Sequence, residues 1–404
     1  MMQQLFSHIK GDKSIWAIVA LMAIFSFMPV FSASSNLAYL NGGDGNTISY
    51  LIKHFIHLGL GFGLMYAVHK VPLRYFKGIS LIMLPLVVVL LIITLAQGTT
   101  IGGANASRWI SIPIVNLSFQ TSSLASVVLL VYVARYLAKY KDRKINFKQS
   151  IVSLWLPVFA VVGLVLPANF STAALLFFMV ILVVYIGKYP LKYLGLILGI
   201  GVVMLSIFVL TAKAFPGLFP NRVDTWMSRI ENFSEPDGDE QYQVEKAKIA
   251  IATGGLTGNG IGKSVQRHFL PQSSSDFIYA IIVEEMGLIG GLGVVLAYLF
   301  LLFRISIVAS KSYNFFGKLI TIAVGLPIIF QALINMSVAV ELLPVTGQTL
   351  PLISSGGSSI WMTCISVGII LSVSNKEENE PNEEVSLNEN SNNDNPLEVL
   401  SETI

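Results

Sequence analysis

The sequence predicts an all-α integral membrane protein of ten spans with one large extracytoplasmic loop, and three observations predict it. Apolar residues make up 54% of the 404, and charged residues only 12%, about half the share of a soluble domain. The mean hydropathy is +0.70. The apolar residues fall into ten runs, at about 15–32, 48–69, 79–96, 117–137, 151–166, 171–187, 191–213, 277–303, 318–341 and 352–374, each near the length that crosses a bilayer. A net charge of +3 is too small to argue for nucleic acid. The single cysteine, Cys364, excludes an intramolecular disulfide and a Cys-rich metal site. No small-residue cleavage site follows the first run, so no removed leader is expected.

Taken in order, residues 1–14 form a cytoplasmic N-terminus and 15–374 the membrane domain. The loops 70–78, 138–150, 188–192 and 304–318 carry the Lys and Arg residues, whereas the alternate short loops carry only Arg108. The positive-inside rule then puts both termini in the cytoplasm and residues 214–276 outside. The polar break Pro167-Ala168-Asn169 separates the fifth and sixth runs.

In the second run, His54 and His57 are three residues apart and share a helix face. A metal pair is conceivable there, but no third ligand is evident, and a bundle-facing cluster explains them as well. Between the third and fourth runs, Gly102 to Trp109 is a Gly-rich loop that ends in Arg108 and Trp109. It reads either as a turn with an interfacial anchor or as a contact for an anion and a sugar face.

The outer loop holds apolar residues at helical spacing from Tyr242 to Ala252, a pattern for an amphipathic helix on the membrane surface. Five glycines follow between Gly254 and Gly262. Such a run can cradle phosphate, yet it lacks the spacing of a nucleotide-binding loop. Then comes the stretch on which the chain turns. Asp276 immediately precedes an apolar run that contains Glu284 and Glu285. Glu284 falls roughly 12 Å deeper than Asp276 on a helix. Carboxylates at membrane depth cost about 2.5–3.5 kcal/mol and mark a working site or a structural partner. The segment 343–359, with two prolines and paired glycines, is irregular and re-entrant, which requires protein or a water cavity around it. The tail 375–404 has nine acids and one lysine and is expected to be disordered.

These motifs together resemble the SEDS (shape, elongation, division and sporulation) family of bacterial cell-wall polymerases, over nearly all of residues 10–374. The resemblance is carried by Ser107-Arg108-Trp109 with Phe119-Gln120, by the glycines from Gly254 to Gly262 with Ser264 and Gln266, by Leu270-Pro271 with Asp276 and Glu284-Glu285-Met286-Gly287, and by Leu343-Pro344 through Ser354, Gly356-Gly357 and Ser358-Ser359. The stretch from Gly347 to Ile353 looks more like the division branch than the elongation branch.

The resemblance implies ten spans, a multi-pass place in the bacterial inner membrane at the division septum, and inverting peptidoglycan glycosyl transfer on lipid II. It makes Asp276 the catalytic aspartate. It assigns Arg108, Trp109, Arg222, Lys263, Gln266, Arg267, Ser354, Gly356, Gly357 and Ser358 to substrate binding, and Glu284 and Glu285 to a structural or auxiliary role. The leaving diphosphate needs cations, supplied by arginine and lysine or by a divalent ion such as Mg2+ or Mn2+. Expected partners are a class B penicillin-binding transpeptidase and divisome proteins. The chain departs from the family pattern at Thr121, Ser123, Ser126, Gln272 to Ser275, Asn169 and Ser355. A lipid II flippase or transporter, and a non-catalytic scaffold for a transpeptidase, are the alternatives.

The acidic tail lacks the apolar residues for a packed core. Deleting residues 379–404 should leave polymerisation of purified lipid II within about twofold of the full chain, as measured by gel analysis of the glycan product.

Overall fold

The computed structural model describes residues 10–40, 47–97, 109–112, 117–141, 143, 145–214, 239–270 and 272–375. It is a helical bundle. Among the described residues seven helical stretches are long and apolar enough to cross a membrane: α1 (Lys13–Leu40, its apolar part Lys13–Ser35), α2 (Thr47–His69), α3 (Leu73–Gln97), α4 (Thr121–Lys139), α5 (Phe147–Val165), then, after α6–α8, α9 (Ile278–Lys311) and α10 (Phe315–Ala339). Three shorter apolar helices, α6 (Phe170–Ile186), α7 (Leu191–Ala214) and α11 (Gly357–Val373), coincide with the remaining apolar runs of the sequence. The fourth run begins as a strand: β1 (Trp109–Ile112) pairs antiparallel with β2 (Leu117–Gln120), Trp109 opposite Gln120, and the helix starts only at Thr121.

The bundle is packed inside and apolar outside. α4 is the central post, with Ala125, Leu129, Val133 and Ala134 at 0% exposure, and it meets α3, α6 and α10. α2 and α11 run parallel in close contact, with His57, Gly61 and Met65 facing Gly357, Cys364 and Gly368. Leucines and isoleucines such as Ile82, Leu156 and Leu296 point outward, as lipid-facing positions must. Pro157 in α5 is accommodated by a side-chain donor: it cannot bond the Ser153 carbonyl, and the Tyr132 hydroxyl donates to that carbonyl instead.

The outer loop departs from the sequence reading in two ways. Its helix α8 (Asp239–Gly254) does not lie on a lipid surface. Val244, Ala247 and Ala250 are buried against Phe277, Ala280 and Ile281 of the α9 entrance and against Val338 and Ala339 of α10. The small residues at this spacing fit helix packing better than lipid insertion. The glycines that follow also do not form an open cradle. They zip onto a break in α9.

That break is at Gly287, whose φ of 67° and ψ of −170° interrupt the helix. A broken helix within a membrane must find other partners for its backbone. The loop provides them. Leu288 and Ile289 N–H groups donate to the carbonyls of Gly255 and Leu256, at 2.9 and 3.3 Å. Asn259 and Gly260 N–H groups donate to the Glu284 and Glu285 carbonyls, both at 3.0 Å. The approach leaves no room for side chains: a Cβ on Gly287 would lie 2.3 Å from the Leu256 carbonyl oxygen, and one on Gly258 would lie 2.2 Å from that of Glu285.

Gly287→Ala should therefore strain the backbone by about 1–3 kcal/mol before any clash is counted. A thermal unfolding scan in detergent should show a loss of several degrees, whereas Gly293→Ala in the same helix, where a Cβ meets nothing within 4 Å, should be neutral.

Candidate functional site

The break in α9 orders a pair of carboxylates. Glu284 and Glu285 are only 1% and 3% exposed. Glu284 accepts from the Ser264 hydroxyl and from the Val265 and Gln266 N–H groups at 2.9 and 3.2 Å. Glu285 accepts from the Ser32 hydroxyl of α1 and from the Ser264 N–H at 3.2 Å. Hydrogen bonds of this kind replace the lost hydration of a buried charge. Both side chains are committed to holding the loop 264–266, and neither is among the residues that line the cavity described next. These bonds fit a structural part for the pair, one of the two readings the sequence left open, with the loop as the main partner.

Residues 272–277 then form a tight turn, closed by Asp276 and Phe277 N–H groups on the Gln272 carbonyl. This turn is clamped to the second irregular segment. Ser355 N–H donates to the Ser274 carbonyl at 2.9 Å, and the Ser354 hydroxyl to that of Ser275 at 2.6 Å. Asn335 of α10, 1% exposed, spans both segments: its amide nitrogen lies 2.7 Å from the Asp276 carbonyl and 2.7 Å from the Gln348 carbonyl. Gln331, one turn earlier, holds the Thr349 carbonyl at 2.9 Å. Gln348 reaches across to the Thr172 hydroxyl of α6 at 2.9 Å.

These contacts frame a cavity of about 520 Å3. Its mouth carries Trp109, Ser118 and Gln120 of the hairpin, Gln272, Ser275 and Asp276 of the turn, and Gly347 to Thr349. Its floor reaches Ser126 and Leu130 of α4, Met179 of α6 and Ser366 of α11. Ser366 lies nine residues past Gly357, which puts the floor roughly 13 Å below the start of α11. Among the described residues the lining holds one carboxylate, Asp276, and one imidazole, His57, with no Lys or Arg.

The candidate residues thus divide. Asp276, Trp109, Gly356 and Gly357 come together around one cavity. Lys263, Gln266 and Arg267 do not line it. They belong to the loop over Glu284 and Glu285, where the Arg267 guanidinium donates to the Ser32 hydroxyl at 2.9 Å. Ser354 braces the turn, as above, and Ser358 is wholly buried. Arg108 and Arg222 lie outside the described residues. The histidine pair also separates: His54 pairs with the Ser26 hydroxyl of α1 at 2.7 Å, whereas His57 lines the cavity. Among the described residues no three His, Cys, Asp or Glu side chains gather as a metal site. Asn335 and Gln331 escaped the sequence reading. An Asn and a Gln four apart in an apolar run were the available signal, since amides at membrane depth need partners.

The chain matches the family model for cell cycle proteins that covers FtsW, RodA and SpoVE, over residues 12–379. It is 32% identical, over 367 residues, to a probable peptidoglycan glycosyltransferase FtsW of Hydrogenovibrio crunogenus, covering 89% of this chain and 90% of that one. It is 28% identical to a protein of the same name from Coxiella burnetii, covering 92% and 99%. Among solved structures it resembles one of a peptidoglycan synthase complex that coordinates polymerization and crosslinking, with a TM-score of 0.68, 26% identity, and 90% and 97% of the two chains covered. It also resembles the rod shape determining protein RodA of Thermus thermophilus, with a TM-score of 0.64, 25% identity, and 92% and 98% covered.

Asn335→Leu would leave two buried carbonyls without this donor, each costing about 1–3 kcal/mol. Hydrogen exchange should rise selectively in residues 272–277 and 347–350 while α4 stays protected. Unchanged exchange in both turns would show that Asn335 does not hold them.

Proposed function

The chain belongs to the FtsW, RodA and SpoVE family of cell cycle proteins, and from that premise and the cavity we propose that Asp276 is the general base of its reaction. The protein is a multi-pass inner-membrane peptidoglycan glycosyltransferase of cell division. The substrate we assign is lipid II. The 4-hydroxyl of its GlcNAc attacks the anomeric carbon of the growing strand. The new C–O bond forms as the bond to undecaprenyl diphosphate breaks, and the hydroxyl proton passes to Asp276.

A single observation carries this reading. Among the described residues Asp276 is the one carboxylate lining this polar cavity, while Glu284 and Glu285 nearby accept from the amides of the loop 264–266. It sits on a turn held from three sides, so its carboxylate is positioned before substrate arrives. Trp109 on the rim offers a flat face to a pyranose ring.

We further read both termini as cytoplasmic, from the basic inner loops. The partner is a class B penicillin-binding transpeptidase at the septum. The peptidoglycan synthase complex that this chain resembles supports a pairing of polymerisation with crosslinking.

The test is polymerisation of purified lipid II by the chain with its transpeptidase. Asp276→Asn keeps size and removes basicity, and polymer formation should fall by about 10²–10⁴-fold. Protein yield and partner binding should persist. A near wild-type rate in the Asn variant would end the assignment. If wild type made no polymer but moved lipid II across liposomes, the transporter reading would replace it.

A further inference from the structure

We propose that His57 is a substrate-binding residue, the cationic contact for the diphosphate of the lipid-linked donor as it leaves. The inference rests on the glycosyl-transfer reading above. It starts from the charge that the reaction creates. Breaking the anomeric C–O bond sends its electron pair to a diphosphate oxygen, so a group that is already anionic gains a further charge. The described lining of the cavity offers no Lys or Arg to meet it, and His57 is its one basic side chain.

The imidazole is held for this contact. Nδ1 lies 2.6 Å from the Lys53 carbonyl oxygen one turn back. A carbonyl only accepts, so Nδ1 carries a proton, and Nε2 is the atom left to act. The ring stacks on Trp361 of α11, with centroids 5.5 Å apart and planes at 30°. Trp361 in turn donates its indole N–H to the His57 carbonyl at 3.2 Å. The charged and titratable neighbours are Lys53 and His54 on the same helix and Asp276 in the same cavity. The facing turn of α11 contributes the neutral groups Gly357 and Trp361.

The paired glycines explain why the ring can reach the cavity. A Cβ on Gly357 would lie 2.5 Å from His57 Nε2 and from Cδ2. Any other residue at that position would push the imidazole away. Its absence sets Nε2 against the first turn of α11. Gly356, the N-cap of that helix, brings no side chain to occupy the first-turn N–H groups. Gly356, Gly357 and Ser359 line the cavity beside His57. Ser358, in the same turn, keeps a buried hydroxyl without a hydrogen-bond partner. The imidazole and the aligned amides of a helix N-terminus then face one anion site from two sides. The contact stabilises the charge on the leaving oxygen, while the proton released by the acceptor hydroxyl goes to Asp276.

The experiment measures inhibition of lipid II polymerisation by undecaprenyl diphosphate, using the full chain with its transpeptidase. His57→Gln should weaken that inhibition by roughly 10- to 100-fold, the range of a lost charge-assisted hydrogen bond. His57→Lys, which restores a cation, should recover most of it. An inhibition constant within about twofold of wild type in the Gln variant would overturn the inference and leave the glycosyltransferase reading intact. A wild type that makes no polymer would sink that reading and this inference with it. A second measurement needs no variant. Carbethoxylation of His57 by diethyl pyrocarbonate, followed by mass spectrometry, should be slowed by undecaprenyl diphosphate and by inorganic pyrophosphate but not by undecaprenol. Equal labelling with all three would overturn the diphosphate assignment.

Discussion

The half of the molecule that holds the cavity depends on one constraint: a transmembrane helix broken at Gly287 cannot leave its backbone unpaired. Each unsatisfied group in hydrocarbon costs several kcal/mol, so the loop 254–266 is bound to α9 by main-chain hydrogen bonds in both directions. Glu284 and Glu285 strengthen the same junction from the other side of the helix. Their carboxylates accept from three loop amides and two hydroxyls. Removing one partner of a buried charge typically costs 3–5 kcal/mol, more than an ordinary hydrogen bond contributes. The two acids, costly as isolated residues, become the fixed point from which residues 264–277 are hung.

Asp276 inherits its position from that junction and from a second one. The turn that carries it is bonded to the re-entrant segment through Ser354, Ser355 and Asn335. Neither segment is helical, and neither could face lipid. The second segment supplies donors to the turn, Asn335 donates to both, and the cavity between them supplies the remaining solvation. A polar cavity is the condition under which irregular backbone survives at this depth. The same arrangement places a carboxylate, an indole and an imidazole around one space.

The sequence made the helices legible because the bilayer imposes length and composition on every span. It made Asp276 and the paired glycines of α11 legible through their place at the ends of apolar runs and through family resemblance. It misled where one pattern serves two physical ends. Val244, Ala247 and Ala250 lie on one helix face whether the neighbour is lipid or protein, and only the small side chains of Ala247 and Ala250 hinted at close packing. Glycines permit approach by phosphate and by another backbone equally well, and here the neighbour is the carbonyl of Glu285. Lys263 and Arg267 are close in sequence to Asp276, but the tight turn at 272–277 separates them from the cavity. Charge and chain proximity do not report which way a loop turns.

The end of the bundle that carries Asp12 bears on whether the cavity serves transfer or transport. A carrier must open its central site to both sides, usually by moving one helical unit against another. Here Asp12 caps α1 through the Ser14 and Ile15 N–H groups, at 2.8 and 3.2 Å, and pairs with Arg304 of α9. Its own N–H donates to the Ser374 hydroxyl at the end of α11, at 2.9 Å. Ser372 donates to the Val71 carbonyl between α2 and α3 at 2.6 Å. Three helices and the connection between α2 and α3 are thereby tied at one end of the bundle, and the Asp12 side chain is only 9% exposed. Opening that end would strip a partly buried ion pair and several caps at once. The cavity, in contrast, lies toward the opposite ends of these helices, and the one carboxylate in its described lining is Asp276. A site closed at one end and furnished at the other suits a reaction between molecules that arrive from one face of the membrane, and that asymmetry favours glycosyl transfer over carriage.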